Sequence, residues 1–298
     1  MGRRFDPDGA YVESLAEVHR SGDYLTHEKI WISFRKEPSI DYRHAAHIFA
    51  STRWRGVDWR DIRERQPRGV VLVIGHDDTL ITRKTISSIL DCHSYRAIFA
   101  SNLSEDARSM KNVFDLPLGI PNDEKHSKTH IVQGDQTLIR AAWKSTQRLG
   151  RPAIPEVYGN FSVRTNPSAR EPVLQVLSSM PRARQGKFVL SKRGRLRDLK
   201  LMAKAGLVVC PRGHGLDTHR FWETLLVGAI PIVLSNDHSA SIARSLALPH
   251  IALEAWGELK DTKVIESEWE KIEGTRWDFS PLTSTYWMEK IRKSAAVA

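Results

Sequence analysis

Cysteine is scarce: the 298 residues include two, Cys92 and Cys210, each beside apolar sequence. Two thiols exclude a disulfide scaffold and a thiolate cluster for structural zinc, and they suit a reducing compartment. The twelve histidines are dispersed rather than paired as on a zincin helix, so no metal site is expected. Long apolar runs are also missing. None approaches the ~20 residues of a membrane span, and the mean hydropathy is −0.39. Residues 1–8 hold no apolar signal core, and Asp6 stands where a myristoylation signal wants Ser or Thr. A cytoplasmic location is the expectation, with peripheral attachment at the inner membrane face as its variant.

Negative charge is in deficit. Forty-five Lys and Arg oppose 35 Asp and Glu, giving a net charge of +10. Such a balance selects anionic partners: nucleic acid, an anionic membrane surface or phosphorylated substrates. The basic residues concentrate in 182–187 and 192–197, runs that equally suit a solvated surface. No zinc finger, RNA-recognition signature or heptad-linked basic region accompanies them, and aromatics are not interleaved as stacking platforms. No specific nucleic acid is therefore expected, although a basic nucleic-acid-binding protein remains an alternative.

What is present is a repeated alternation of buried strands and helices. Residues 70–75 read as a strand, 82–91 as a helix and 96–100 as the next strand; 206–234 hold a second such unit. Ile30–Phe34 is expected to be a strand, Tyr42–Ser51 a helix, Thr137–Leu149 a helix, Phe161–Val163 a strand end, Val173–Ser178 part of a helix and Lys187–Leu190 a strand. That last strand would place Ser191, Lys192 and Arg193 at a ligand crevice. Gly150–Pro155 reads as a linker, which predicts two domains, 1–152 and 153–298. A final helix from Thr285 is expected to pack back onto the first.

The chemistry concentrates between Val208 and Leu234. An apolar strand runs into Cys210-Pro-Arg-Gly-His-Gly-Leu-Asp-Thr-His-Arg-Phe-Trp-Glu223, and Gly228-Ala-Ile-Pro-Ile-Val-Leu234 follows. Asp217 or Thr218 can cap the helix and leave first-turn amides facing an anion. Arg212 and Arg220 offer fork-shaped donors suited to a diphosphate. Glu223, on one face with His219, lies where a ribose would donate its two hydroxyls to it, and Gly213 and Gly215 permit close backbone approach. Each residue alone also fits a structural role, with the arginines paired to Asp217 and Glu223; their concentration between two buried strands favours a nucleoside diphosphate site.

The order Pro-Arg-Gly, Asp-Thr-His-Arg-Phe-Trp-Glu, Gly-Ala-Ile-Pro-Ile-Val resembles the donor-binding segment of exostosin-like glycosyltransferases. Weaker echoes lie in Asn160-Phe-Ser, Thr165-Asn-Pro with Arg170, Gly75-His-Asp-Asp78 and Leu116-Pro-Leu-Gly-Ile-Pro-Asn122. The resemblance implies the α/β GT-B fold, two Rossmann-like parallel-sheet domains facing a cleft. It implies an enzyme that moves a sugar, with inversion, from a nucleotide sugar, UDP-linked by preference, to a glycan or lipid-linked acceptor. Pro231 stands where many retaining relatives carry a second Glu. Donor binding falls to Arg212, Gly213, Gly215, Asp217, Thr218, His219, Arg220 and Glu223, with Lys192 and Arg193 beside them.

Inverting transfer needs a base for the acceptor hydroxyl and cations for the leaving diphosphate. Asp78 is the first candidate base, with Asp77 and His76 close behind; Asp78 also fits a helix cap. No metal and no cofactor are expected, since positive protein groups replace the metal in GT-B enzymes. A noncatalytic nucleotide-sugar-binding protein is the other alternative: it would keep Arg220 and Glu223 without needing Asp78.

Overall fold

The computed structural model describes residues 10–34, 37–44, 70–75, 78–92, 94–122, 130–149, 152, 155–187 and 189–296. The fold is α/β with two sheets, each parallel throughout among these residues. In one, β1 (Ile40–His44), β2 (Val71–Gly75), β3 (Ala97–Ala100) and β4 (Val113–Asp115) adjoin in sequence order. The other contains β5 (Glu156–Gly159), β6 (Ala183–Gln185), β7 (Gly206–Val209), β8 (Ile230–Leu234) and β9 (Ile251–Leu253), in the order β6-β5-β7-β8-β9. Contacts divide the chain into two compact units. The larger comprises Met1–Tyr24, Gly119–His214 and Thr218–Thr283; the smaller comprises Leu25–Leu118, Gly215–Asp217 and Ser284–Ala298. The boundary expected between residues 152 and 153 lies inside the larger unit, and the chain's last helix, Ser284–Ala296, belongs to the smaller one.

In the larger unit, β7 and β8 read as unbroken apolar runs because both faces are covered: Leu207, Val208, Val209, Ile230, Ile232 and Val233 are fully buried. Helix Pro167–Ser178 follows β5, Lys192–Ala205 joins β6 to β7, His219–Leu226 joins β7 to β8, and His238–Ser245 joins β8 to β9. Of the strand expected at Lys187–Leu190, Lys187, Val189 and Leu190 are not in strand, and Phe188 lies outside the described residues. The strand lies earlier, at Ala183–Gln185, where pairing with β5 aligns Val157 with Ala183. Val189 and Leu190 are exposed instead, and the Ser191 hydroxyl accepts the Gly194 amide at 3.0 Å to start the next helix. Similarly, β5 stops at Gly159, and Val163–Thr165 is a 3₁₀ turn rather than a strand end.

The first helix of the chain, Ala10–Ser21, packs into this same unit. Tyr11 donates its hydroxyl to the Ala229 carbonyl at 3.1 Å. His19 Nε2 donates to the Leu226 carbonyl at 2.7 Å, and Nδ1 accepts the Tyr24 hydroxyl at 2.7 Å. The imidazole stacks on Trp143, with ring centroids 4.6 Å apart. Burial lowers its pKa to about 4, Arg140 adding to the fall and the Leu226 carbonyl opposing it.

The smaller unit is built on a core of Leu72, Ile74, Ile86, Ile89, Ile98 and Leu103. Two sequence expectations are corrected here. Ile30–Phe34 lies in a helix, His27–Phe34, with His27, Ile30 and Phe34 buried and Trp31 and Ile32 exposed; the buried positions follow helical spacing, which the apolar run concealed. Tyr42–His44 is strand, paired with Val73–Gly75 of β2; residues 45–51 lie outside the described residues. The partner strand that overrides local preference there is distant in sequence, so the local pattern did not reveal it.

Candidate functional site

Strand order locates the crevice before any side chain is considered. In β6-β5-β7-β8-β9 the chain leaves β5 toward one edge and, after β6, returns to β7 on the other side of β5. Such a reversal opens a gap beyond the carboxyl ends of the two strands, the position at which open parallel sheets bind ligands. Here the segments leaving β5 and β7 are 160–166 and 210–218.

A buried ionic network lies at this point. Asp198, on helix Lys192–Ala205, accepts Tyr158 Oη at 2.7 Å and Asn160 Nδ2 at 2.8 Å on one oxygen. On the other it accepts Arg220 Nη1 at 3.0 Å and Arg195 Nη1 at 3.4 Å. Burial alone would raise its pKa; Arg220, the Asn160 and Tyr158 hydrogen bonds and Arg195 outweigh it and hold the carboxyl at about 2. Arg195 also pairs with Glu223. Arg220 Nε lies 3.9 Å from the other Glu223 oxygen, and Nη2 donates to the Asn160 carbonyl at 3.2 Å. Burial opposes the charge of Arg220, yet the two carboxylates raise its pKa overall. Glu223 is thus a buried carboxylate facing two guanidiniums, and Arg220 is held by two carboxylates and a carbonyl.

A third guanidinium has no carboxylate partner among the described residues. Arg170, on the first turn of helix Pro167–Ser178, donates Nε to the Arg212 carbonyl at 3.0 Å and Nη1 to the Ser162 carbonyl at 2.9 Å. It lies over the Phe161 ring, 5.8 Å from its centroid. Asn166, the N-cap of that helix, donates Nδ2 to the Gly213 carbonyl at 2.8 Å. These bonds stitch the segment after β5 to the loop after β7. Three guanidiniums therefore share this end of the sheet with two carboxylates.

The remaining expected residues are distributed as follows. Arg212 is exposed, its charge felt by Asp237. Thr218 is the N-cap of His219–Leu226 but makes no side-chain cap bond. Asp217, one residue before that N-cap, accepts the Leu118 amide on its carboxylate at 2.8 Å within the smaller unit. His219 Nδ1 lies 2.7 Å from the Gly119 carbonyl. Lys192 and Arg193 do not sit at a strand end: both are exposed in the first turn of their helix, and Lys192 pairs with Asp135 at 2.7 Å.

Asp78 is exposed in the smaller unit, and His76 and Asp77 lie outside the described residues. Within that unit Asp78 lies beside Gly215. A Cβ built on Gly215 would fall 3.1 Å from Asp78 Oδ1 and 2.9 Å from Asn102 Oδ1, so glycine is required by this close approach. Asn102 accepts the Leu216 and Asp217 amides at 2.8 and 2.9 Å.

No family model matches the chain, and no curated protein matches it.

Sequence reasoning missed Arg195, Asp198 and Asn102, and counted Arg170 and Asn160 only as echoes. A signal for the first two existed: Arg195, Asp198, Leu199 and Met202 fall on the buried stripe of their helix. It was hidden inside a basic run whose other members face solvent. Asp115, at the end of β4, was also missed. Burial pushes its carboxyl up to about 7, with Asp217 adding and Arg108 and Lys290 opposing, a value suited to proton transfer near neutrality. Cys210 is fully buried, and burial raises its thiol to about 12. Among the described residues, no group of three or more His, Cys, Asp or Glu is placed to hold a metal, and no helix is long and apolar enough to cross a membrane.

Proposed function

We propose that the chain is a glycosyltransferase of the GT-B type, moving a sugar from a nucleoside diphosphate donor, UDP-linked by preference, to a hydroxyl of a glycan or lipid-linked acceptor. One observation carries the reading: the gap at the β5–β7 reversal coincides with a surplus of guanidinium groups, Arg170, Arg195 and Arg220 against Asp198 and Glu223. An anion that develops charge as it leaves is stabilised by the net positive field of this gap, in which Arg195 and Arg220 stay with their buried carboxylates. The resemblance of residues 208–234 to a donor-binding segment supplies the substrate class.

The base in this reading is Asp78, which takes the acceptor proton as the hydroxyl oxygen attacks the anomeric carbon and the bond to the diphosphate breaks. Arg212, exposed at the mouth of the loop, supplies a further cation to the departing phosphate. No metal is required in this scheme, since the arginines carry the counter-charge.

The test is a thermal-unfolding panel with nucleoside diphosphates, nucleotide sugars and single-stranded oligonucleotides. A ligand at 100 times its Kd adds about 2.7 kcal/mol of stability. Stabilisation by a nucleoside diphosphate, followed by turnover of the matching sugar donor, is the expected outcome. Response to oligonucleotides alone overturns the proposal, and binding without turnover reduces it to a nucleotide-sugar-binding protein.

A further inference from the structure

The arginines of the crevice are not equivalent, and the difference identifies which one has donors to offer. Arg220 is committed to Asp198, Glu223 and the Asn160 carbonyl, and Arg195 to Asp198 and Glu223. A ligand phosphate would have to displace a carboxylate to reach either. Arg170 is nine-tenths buried, with 9% exposure, and among the described residues its hydrogen-bond partners, through Nε and Nη1, are carbonyls. Its Nη2 donates to no protein group among the described residues. A cation held in this way keeps its full charge uncompensated in a partly desolvated place. Burial and the nearby Arg220 charge both press against its protonated form, a cost that a bound anion between the two would relieve.

Gly213 supplies the second, independent observation. Its backbone is not in the left-handed region, so no conformational reason demands glycine there. The constraint is spatial. A Cβ at this position would stand 3.2 Å from Arg170 Nη2, and the next nearest atom, Thr165 Cγ2, is at 3.8 Å. The one group a side chain at 213 would crowd is therefore the uncommitted edge of the guanidinium. Asn166 fixes the Gly213 carbonyl and Arg170 fixes the Arg212 carbonyl, so the peptide on either side is held and the gap beside Nη2 is kept.

We infer that Arg170 is the principal phosphate-binding residue of this site, gripping an oxyanion of the donor diphosphate through its Nη2 edge, with Gly213 keeping that edge open. The inference rests on the nucleotide reading of the crevice. Arg220 and Glu223 then act on the ligand indirectly: they position the end of β5 and the helix that follows β7. A guanidinium that already holds two backbone carbonyls presents its remaining donors in a fixed direction, which suits a tetrahedral oxyanion better than a mobile lysine would.

Calorimetric titration with inorganic pyrophosphate, UDP and uridine tests this on the wild type, Arg170→Gln, Arg170→Lys and Gly213→Ala, each checked for native circular dichroism. Arg170→Gln is expected to weaken pyrophosphate and UDP at least tenfold while leaving uridine within twofold. Arg170→Lys should recover only part of that loss. Gly213→Ala, which retains every charge, should weaken both phosphorylated ligands several-fold; it carries the test if Arg170→Gln does not fold. Unchanged UDP affinity in folded Arg170→Gln, or in Gly213→Ala, overturns the role of Arg170 and leaves the nucleotide reading standing. Pyrophosphate binding that depends on Arg170, without binding of any nucleoside diphosphate, overturns the nucleotide reading and leaves an anion site. A wild type that binds none of the ligands overturns both.

Discussion

Glu223 shows how burial changes the meaning of a residue. In a helix-start motif beside two arginines, a carboxylate suggests a ribose ligand; at 4% exposure and paired with Arg195, it is first a counter-charge. Removing one member of a buried pair strands the other, which costs about 3–5 kcal/mol. Glu223→Gln is accordingly expected to lower the urea-unfolding free energy by that order with no ligand present. A change below about 1 kcal/mol, within the range of exposed pairs, would mean that Arg195 finds other partners and that Glu223 is available to a ligand. Asp198 is expected to be the more sensitive partner, since four donors converge on it. Its depressed pKa stabilises the fold above the ordinary carboxylate range, and that contribution is lost as pH falls toward about 2.

At the scale of elements, the helix His219–Leu226 is held at its carboxyl end by groups remote in sequence. Gly228 turns the chain there with φ +81°, and a Cβ would fall 2.6 Å from the Trp143 ring. Gly228→Ala combines a left-handed backbone with a steric conflict, so its expected cost exceeds the ~1 kcal/mol of the backbone penalty alone; chemical denaturation that finds a smaller loss would show that Trp143 moves aside. His19 ties the first helix to the same end through the Leu226 carbonyl. Its folded pKa of about 4 lies below the ordinary 6.5, so between these values the unfolded chain binds more protons than the folded one. Stability therefore rises with pH across that window, is complete above 6.5 and is lost below about 4, a span of roughly 3 kcal/mol. His19→Gln should flatten this part of the stability profile; an unaltered slope would assign the pH dependence elsewhere.

For the whole molecule, the decisive assay is turnover. Asp78→Asn should leave UDP affinity intact and reduce transfer by roughly 10²–10⁴-fold, the contribution of a positioned base, with activity unaffected by EDTA. Near-normal turnover of that variant, together with a collapse in Asp115→Asn, would move the base to the end of β4; loss of activity in EDTA would overturn the metal-free scheme. The sequence by itself determined the parallel α/β class, because strands such as 71–75 and 206–209 are apolar on both faces and bounded by helical spacing. It also placed the helix after β7, since Phe221 and Leu225 recur one turn apart at fully buried positions. Tertiary structure alone decided the rest. The order β6-β5-β7-β8-β9, the shift of β6 to Ala183–Gln185 and the strand identity of Tyr42–His44 depend on partners far along the chain. The same holds for the charges: a guanidinium's chemistry is set by which acids and carbonyls reach it. Local spacing could place Arg195 and Arg220 on their helices, but only packing assigned the two carboxylates to them and, among the described residues, gave Arg170 carbonyls as its hydrogen-bond partners.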